Sequence, residues 1–213
     1  ADVASWRNVP GVKAVWVNSP CNPTGEVYSA ERMAGIVAAA REIGAVVLSD
    51  ECYALMQWRG AVNGAEGEAD SLASTPCALC DDVCLGSAEG VLVLYSLSKQ
   101  SNMAGYRTAF IAGDESLIAS MRAYRKQIGQ IIPGPVQAAM AAGLRDLESV
   151  KVQHARYRER LGVLVSALRA YGYCTDMPDG ALYVWVRAKS GDCWTDMEQL
   201  AKIGIIASPG EFY

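Results

Sequence analysis

Val91-Leu92-Val93-Leu94-Tyr95-Ser96-Leu97-Ser98-Lys99 is an apolar, strand-like run that breaks into small hydroxyl residues and a lysine. The loop after it is polar and contains Gln100, Ser101, Asn102 and Gly105, and Arg107 stands eight residues beyond the lysine. A lysine amine condenses with an aldehyde as a Schiff base. A guanidinium and hydroxyls neutralise and orient a phosphate. Lys99, Arg107 and a flanking serine therefore carry the chemistry needed to hold a phosphorylated aldehyde.

Two upstream segments have the same form. Asn18-Ser19-Pro20-Cys21-Asn22-Pro23-Thr24-Gly25 follows the strand-like Ala14-Val15-Trp16-Val17, and Ser49-Asp50-Glu51-Cys52-Tyr53 follows Ala45-Val46-Val47-Leu48. Each apolar run thus ends in polar groups. In an open parallel α/β sheet, ligands sit beyond the carboxyl ends of the strands. One bound molecule can then touch all three segments.

The chain resembles the class I/II aminotransferases, pyridoxal-phosphate (PLP) enzymes of fold type I. The resemblance rests on Asn-Pro-Thr-Gly at 22–25, Asp-x-x-Tyr at 50–53 and Ser-x-Ser-Lys at 96–99 with Arg107. Within that family it is similar to actinobacterial N-succinyldiaminopimelate aminotransferases, on Ser96–Asn102, Ala104–Arg107, Asp50–Tyr53 and Pro209–Tyr213. The resemblance implies a role for each site residue. Lys99 holds PLP and moves the proton. Asp50 faces the pyridinium nitrogen, with Glu51 as the neighbouring acid that periodicity cannot separate from it. Tyr53 and Asn22 face the phenolic oxygen, and Asn22 also faces the substrate carboxylate. Ser96, Ser98 and Arg107 take the phosphate. Catalysis falls to Lys99, Asp50 and Tyr53.

The implied reaction moves an amino group between an amino acid and a 2-oxo acid. The preferred pair is N-succinyl-LL-2,6-diaminopimelate with 2-oxoglutarate, in lysine biosynthesis. A broader aspartate, alanine or aromatic aminotransferase and a carbon–sulfur lyase are the enzyme alternatives. A PLP-sensing domain of a transcription regulator is the alternative from another class. Family enzymes are homodimers. The resemblance also implies that the chain is a fragment. The upstream phosphate-binding helix start, the ring-stacking aromatic and the later carboxylate-gripping arginine all fall outside the sequence.

Bulk properties bound the reading. A chain of 213 residues with net charge -4 shows no basic footprint for nucleic acid. No apolar run reaches the roughly 18 residues of a membrane helix. The opening Ala1–Trp6 does not read as a signal peptide. An odd count of 7 cysteines suits reduced thiols in a cytoplasm. Cys77, Cys80 and Cys84 cluster as metal ligands do, yet no second pair or nearby histidine joins them, and no metal is expected.

Strand signals alternate with helical ones, which predicts an α/β fold with a mostly parallel sheet and flanking helices. Expected helices cover 29–43, with Ser29 as N-cap, then 116–126, 135–144 and 147–171. A further strand is expected at 108–112, and 53–90 reads as mostly loop. After that comes a smaller α+β portion: 173–175, a strand at 181–186, a helix at 195–203 and a short strand at 205–207. The expected domains are 1–150, a partial PLP-binding domain, and 151–213, a partial C-terminal domain. His154 reads as solvated on a charged helix face, and Trp16, Trp185, Tyr183 and Met197 read as core.

Overall fold

Ala14–Asn18 (β1), Val46–Asp50 (β2), Val91–Tyr95 (β3) and Phe110–Gly113 (β4) lie side by side in that order in one sheet. The computed structural model describes residues 2–58 and 75–213. As the alternating pattern predicts, the sheet is mostly parallel: β1 with β2 and β2 with β3 run parallel, and β4 returns antiparallel to β3. β4 starts two residues later than expected. Thr108 is drawn away from the ladder, because its carbonyl accepts the Ser96 hydroxyl at 3.0 Å.

Period-two alternation puts Val15, Val17, Val47, Val91 and Val93 into the core. The helix α1 (Ala30–Glu42) covers them with Met33, Ile36, Val37 and Ala40. Burying side chains of this size contributes about 1.5–3 kcal/mol each. The Ser29 hydroxyl caps α1 by accepting from Arg32 N–H at 3.2 Å, as its position before the apolar stripe predicts. Arg41 in the last turn donates to the carbonyls of Cys84 and Glu89, which ties the short helix α2 (Asp81–Cys84) and the start of β3 to α1.

Three helices follow the sheet: α3 (Glu115–Gln127), α4 (Gly134–Gly143) and α5 (Leu147–Ala170). Their bounds fall within one residue of the expected ones. Asp114 caps α3, accepting from Ser116 and Leu117 N–H at 2.9 and 3.0 Å, and Asp146 caps α5 through Ser149 N–H at 3.0 Å.

Several expectations are corrected. Residues 181–186 and 205–207 do not form strands among the described residues; an isolated antiparallel bridge, Gln57 to Gly180, is the pairing found near the first. A strand needs a neighbouring edge to bond with, and an apolar run supplies only half of that requirement. The helix α6 spans Cys193–Lys202 rather than 195–203, because Asp192 caps it by accepting from Thr195 N–H at 2.8 Å. Trp16 and Trp185 are 55% and 45% exposed, so neither is core, while Tyr183 and Met197 are half-buried. Trp16 sits on the outer face of the edge strand β1. His154 is half-buried rather than solvated: its ring lies 4.7 Å from that of Trp58, and its Nε2 is 3.0 Å from the Gln57 carbonyl. Part of the expected 53–90 loop falls outside the described residues.

Asp196 organises the C-terminal portion. Its carboxylate accepts from Tyr173 O–H at 2.7 Å, Lys189 N–H at 2.6 Å and Ser190 N–H at 3.0 Å. Hydrogen bonds from Ser190, then Tyr173, hold this carboxyl below the usual aspartate range. A depressed carboxyl contributes stability that is fully present above its unfolded pKa and fades as pH falls through its folded one. Asp196→Asn therefore lowers the melting temperature at neutral pH, and the gap from the parent narrows below about pH 4. Thermal melts of the two proteins across acidic pH check this.

Candidate active site

The register of the parallel strands sets Asn18 beside Asp50 and Asp50 beside Leu94. The three strands therefore end level, and the three polar segments leave the sheet side by side. Two backbone bonds extend the alignment past the ladders: Ser19 N–H donates to the Asp50 carbonyl at 3.3 Å, and Glu51 N–H to the Leu94 carbonyl at 3.0 Å. Asn18 bridges two of the segments. Its side-chain amide donates to the Asp50 carbonyl at 3.2 Å, and its Oδ1 accepts Asn22 N–H at 2.7 Å. Asn18 has no place among the sequence-predicted site residues; a polar residue closing an apolar strand was its signal.

Asp50 and Glu51 go opposite ways. Glu51 is buried, and its Oε1 accepts from Ser49 O–H at 2.9 Å and Ala78 N–H at 2.7 Å. Burial pushes its carboxyl up, against those hydrogen bonds. It is a strut under the chain at 75–78. Asp50 is half-buried at the strand end, with Oδ1 accepting Cys52 N–H at 3.3 Å. The described residues 51–58 just after it form no helix for that carboxylate to cap. Burial, with the Asp50 carboxylate adding to it, pushes the Cys52 thiol up to about 12, so Cys52 stays a thiol at neutral pH.

Tyr53 is buried and packs in a cluster with Met56, Trp58, Leu161 and Ala181. The Lys99 ammonium lies 5.6 Å from the centre of its ring. Lys99 is half-buried and makes no ion pair with a carboxylate among the described residues. The turn that carries it is fixed by its neighbours. Gln100 is buried and accepts from the Tyr95 hydroxyl, and Asn102 accepts from the Tyr157 hydroxyl of α5 at 2.9 Å.

Ser96 is buried, and its Oγ donates to the Thr108 carbonyl while accepting Ser98 N–H at 3.1 Å. Its proton is thus committed to the protein. The Ser98 Oγ lies 2.8 Å from it and is less deeply buried. Arg107 adjoins Thr108 in the left-handed region, at φ 49°, with one guanidinium N–H donating to the Ala104 carbonyl at 2.9 Å. No carboxylate among the described residues pairs with it. Its exposed guanidinium keeps further N–H groups that can donate to an anion.

The glycine of Asn-Pro-Thr-Gly has a steric role. Gly25, at φ +76°, would place a Cβ 2.6 Å from that of Pro178. Its carbonyl accepts Gly180 N–H at 2.8 Å, and the Met56 carbonyl accepts Ala181 N–H at 2.8 Å. A Cβ on Gly180 would stand 2.8 Å from that of Pro20 and 2.9 Å from the Met56 carbonyl. Residues 180–181 are therefore clamped between the first motif segment and the chain just past the second. Tyr183, carried just beyond the clamp, brings its hydroxyl to 3.5 Å from that of Tyr53.

The polar groups that follow the strand ends are an amine, a carboxylate, a phenol, an exposed amide, two hydroxyls and a guanidinium. Those groups match, in kind, an aldehyde, a ring nitrogen, a phenolic oxygen and a phosphate. The aminotransferase class I and II family model matches residues 4–213. The chain belongs to that family. It is 41% identical over 203 residues to 4-dedimethylamino-4-oxo-anhydrotetracycline transaminase OxyQ of Streptomyces rimosus, covering 95% of this chain and 52% of that protein. It is 37% identical to the probable aminotransferase Rv1178 of Mycobacterium tuberculosis, covering 93% of this chain and 44% of that protein. Among solved structures it is similar to Thermus thermophilus aspartate aminotransferase with maleate, at a TM-score of 0.81 and 26% identity, over 99% of this chain and 53% of that one. The chain spans about half the length of the curated relatives it matches. The fold is that of the fold type I enzymes, and the family depends on PLP.

The opposed environments of the adjacent acids give a direct test. Glu51→Ala leaves Ser49 and Ala78 without their acceptor and costs about 1–3 kcal/mol of stability. Asp50→Asn keeps the Cys52 contact and leaves the stability near that of the parent. Denaturant titration of the two variants distinguishes them.

Proposed function

We propose that the whole protein is a PLP-dependent aminotransferase whose cofactor is held by the residues gathered here. The observation that carries the reading is the level ending of β1, β2 and β3, which sets Asn22, Asp50, Tyr53 and Lys99 on neighbouring segments. Bound there, PLP supplies an aldehyde carbon for an amine and a ring that accepts electron density. Lys99 attaches the cofactor and, once released by substrate, carries the proton at its Nζ. A lysine suits both tasks because its pKa falls readily on burial beside another cation. Asp50 keeps the ring nitrogen protonated. Tyr53 and Asn22 donate to the phenolic oxygen, and Asn22 also reaches the substrate carboxylate. Arg107 and Ser98 donate to the phosphate, with Ser96 bracing Ser98.

The finer reading is that the substrates are N-succinyl-LL-2,6-diaminopimelate and 2-oxoglutarate. Motif likeness supports it, as does 30% identity to a protein named LL-diaminopimelate aminotransferase in Gloeobacter violaceus. A second reading has its own support, since the 41% identical relative is named for a 4-oxo-anhydrotetracycline. On that reading the amino group goes to a ring ketone of a polycyclic acceptor. The same proposal makes the whole protein a cytoplasmic homodimer, with a large domain to about residue 150 and a smaller one beyond, joined through α5. No helix among the described residues is long and apolar enough to cross a membrane.

Assay of the whole protein with PLP and each amino donor in turn tests both substrate readings, and Lys99→Ala tests the enzyme reading. Transamination falls by roughly a thousand-fold or more in Lys99→Ala. Near-normal turnover by that variant contradicts the proposal. Turnover of the diaminopimelate pair above all other donors supports the first substrate reading, and turnover confined to tetracyclic ketones supports the second.

A further inference from the structure

We infer that Tyr183 is a positioning residue for Tyr53: its hydroxyl backs the Tyr53 hydroxyl, so that Tyr53 presents its proton to the phenolic oxygen of the cofactor. The inference rests on the reading of this site as a PLP site and adds a residue to it.

The geometry comes from the clamp. Gly180 N–H bonds to the Gly25 carbonyl, Ala181 N–H to the Met56 carbonyl, and the Trp58 indole N–H to the Ala181 carbonyl at 2.6 Å. Two residues further on, the Tyr183 ring meets the Tyr53 ring edge-on, with centres 6.3 Å apart and planes at 74°. The first motif segment and the chain just past the second thus hold Tyr183 in place; residues 182–184 are half-buried and Trp185 is exposed.

The chemistry follows from proton count. A phenol has one proton to donate and lone pairs to accept with. Burial first, and the Tyr183 hydroxyl next, push the Tyr53 phenol up, so Tyr53 stays protonated and acts as a donor. In the structure that proton points to Tyr183 at 3.5 Å. When an anionic oxygen arrives, the Tyr53 proton turns to it, and Tyr183 donates its own proton back to the Tyr53 oxygen. A hydroxyl that accepts a hydrogen bond donates a stronger one. Long contacts of this kind tighten once the ligand is bound. No bond breaks and no proton leaves either phenol; only the hydrogen-bond direction reverses.

A core tyrosine without this role predicts a different result. Tyr183→Phe keeps the ring in its cluster and removes only the hydroxyl. The readout is the pH midpoint of the absorbance change of lysine-bound PLP in the whole protein, with melting temperature followed alongside to confirm folding. Weaker donation by Tyr53 disfavours the phenolate, so the Tyr183→Phe midpoint rises by roughly 0.5 to 1 pH unit. Tyr53→Phe raises it at least as far, and adding Tyr183→Phe to Tyr53→Phe moves it no further. A normal chromophore whose midpoint ignores Tyr183→Phe overturns this inference alone. So does a Tyr183→Phe shift that persists in the Tyr53→Phe background. A parent protein that binds no PLP overturns the site reading and this inference with it.

Discussion

The parallel register of β1, β2 and β3 puts Asn18, Asp50 and Leu94 in one row across the sheet. A strand end exposes backbone groups and releases the chain into a loop, so a level row releases three loops at one place. The polar groups those loops carry come from points up to 85 residues apart in sequence, Asn22 and Arg107 being the extremes. No local preference could gather them. The valine core under α1 fixes the register, since a one-residue slip would turn Val15, Val17 and Val47 outward.

A second constraint acts above the row. The chain at 178–181 passes so close to Gly25, Pro20 and Met56 that side chains at 25 and 180 have no room. Glycine at those positions lets backbone meet backbone, and the hydrogen bonds formed there join the C-terminal portion to the first motif segment and to the chain just past the second. α5 adds fastenings of its own, through His154 to the Gln57 carbonyl and Tyr157 to Asn102. The turn bearing Lys99 is therefore braced from the sheet, through Tyr95 and Gln100, and from the long helix.

Local signals were legible in the sequence where local physics decides. The apolar run 91–95 became β3 with the expected bounds, and Ser29 capped α1, because alternation and capping act within a few residues. Periodicity could not separate Asp50 from Glu51, and the choice of Asp50 rested on the motif alone. The contacts of Glu51 with Ser49 and Ala78 separate them. The strand expected at 181–186 failed for the opposite reason: its β-prone residues are held by a clamp and by ring packing rather than by a ladder. His154 was misread because charged neighbours along α5 hide one residue that turns toward Trp58. The pairing of Tyr53 with Tyr183 spans 130 residues, and no spacing rule reaches that far.

Lys99 as the point of cofactor attachment is the claim on which the other roles depend. Borohydride reduction of the PLP-saturated whole protein, followed by digestion and mass spectrometry of the peptides, tests it most directly. The account predicts a reduced pyridoxyl group on the peptide that contains Lys99. A label on any other lysine, or no label at all, contradicts it.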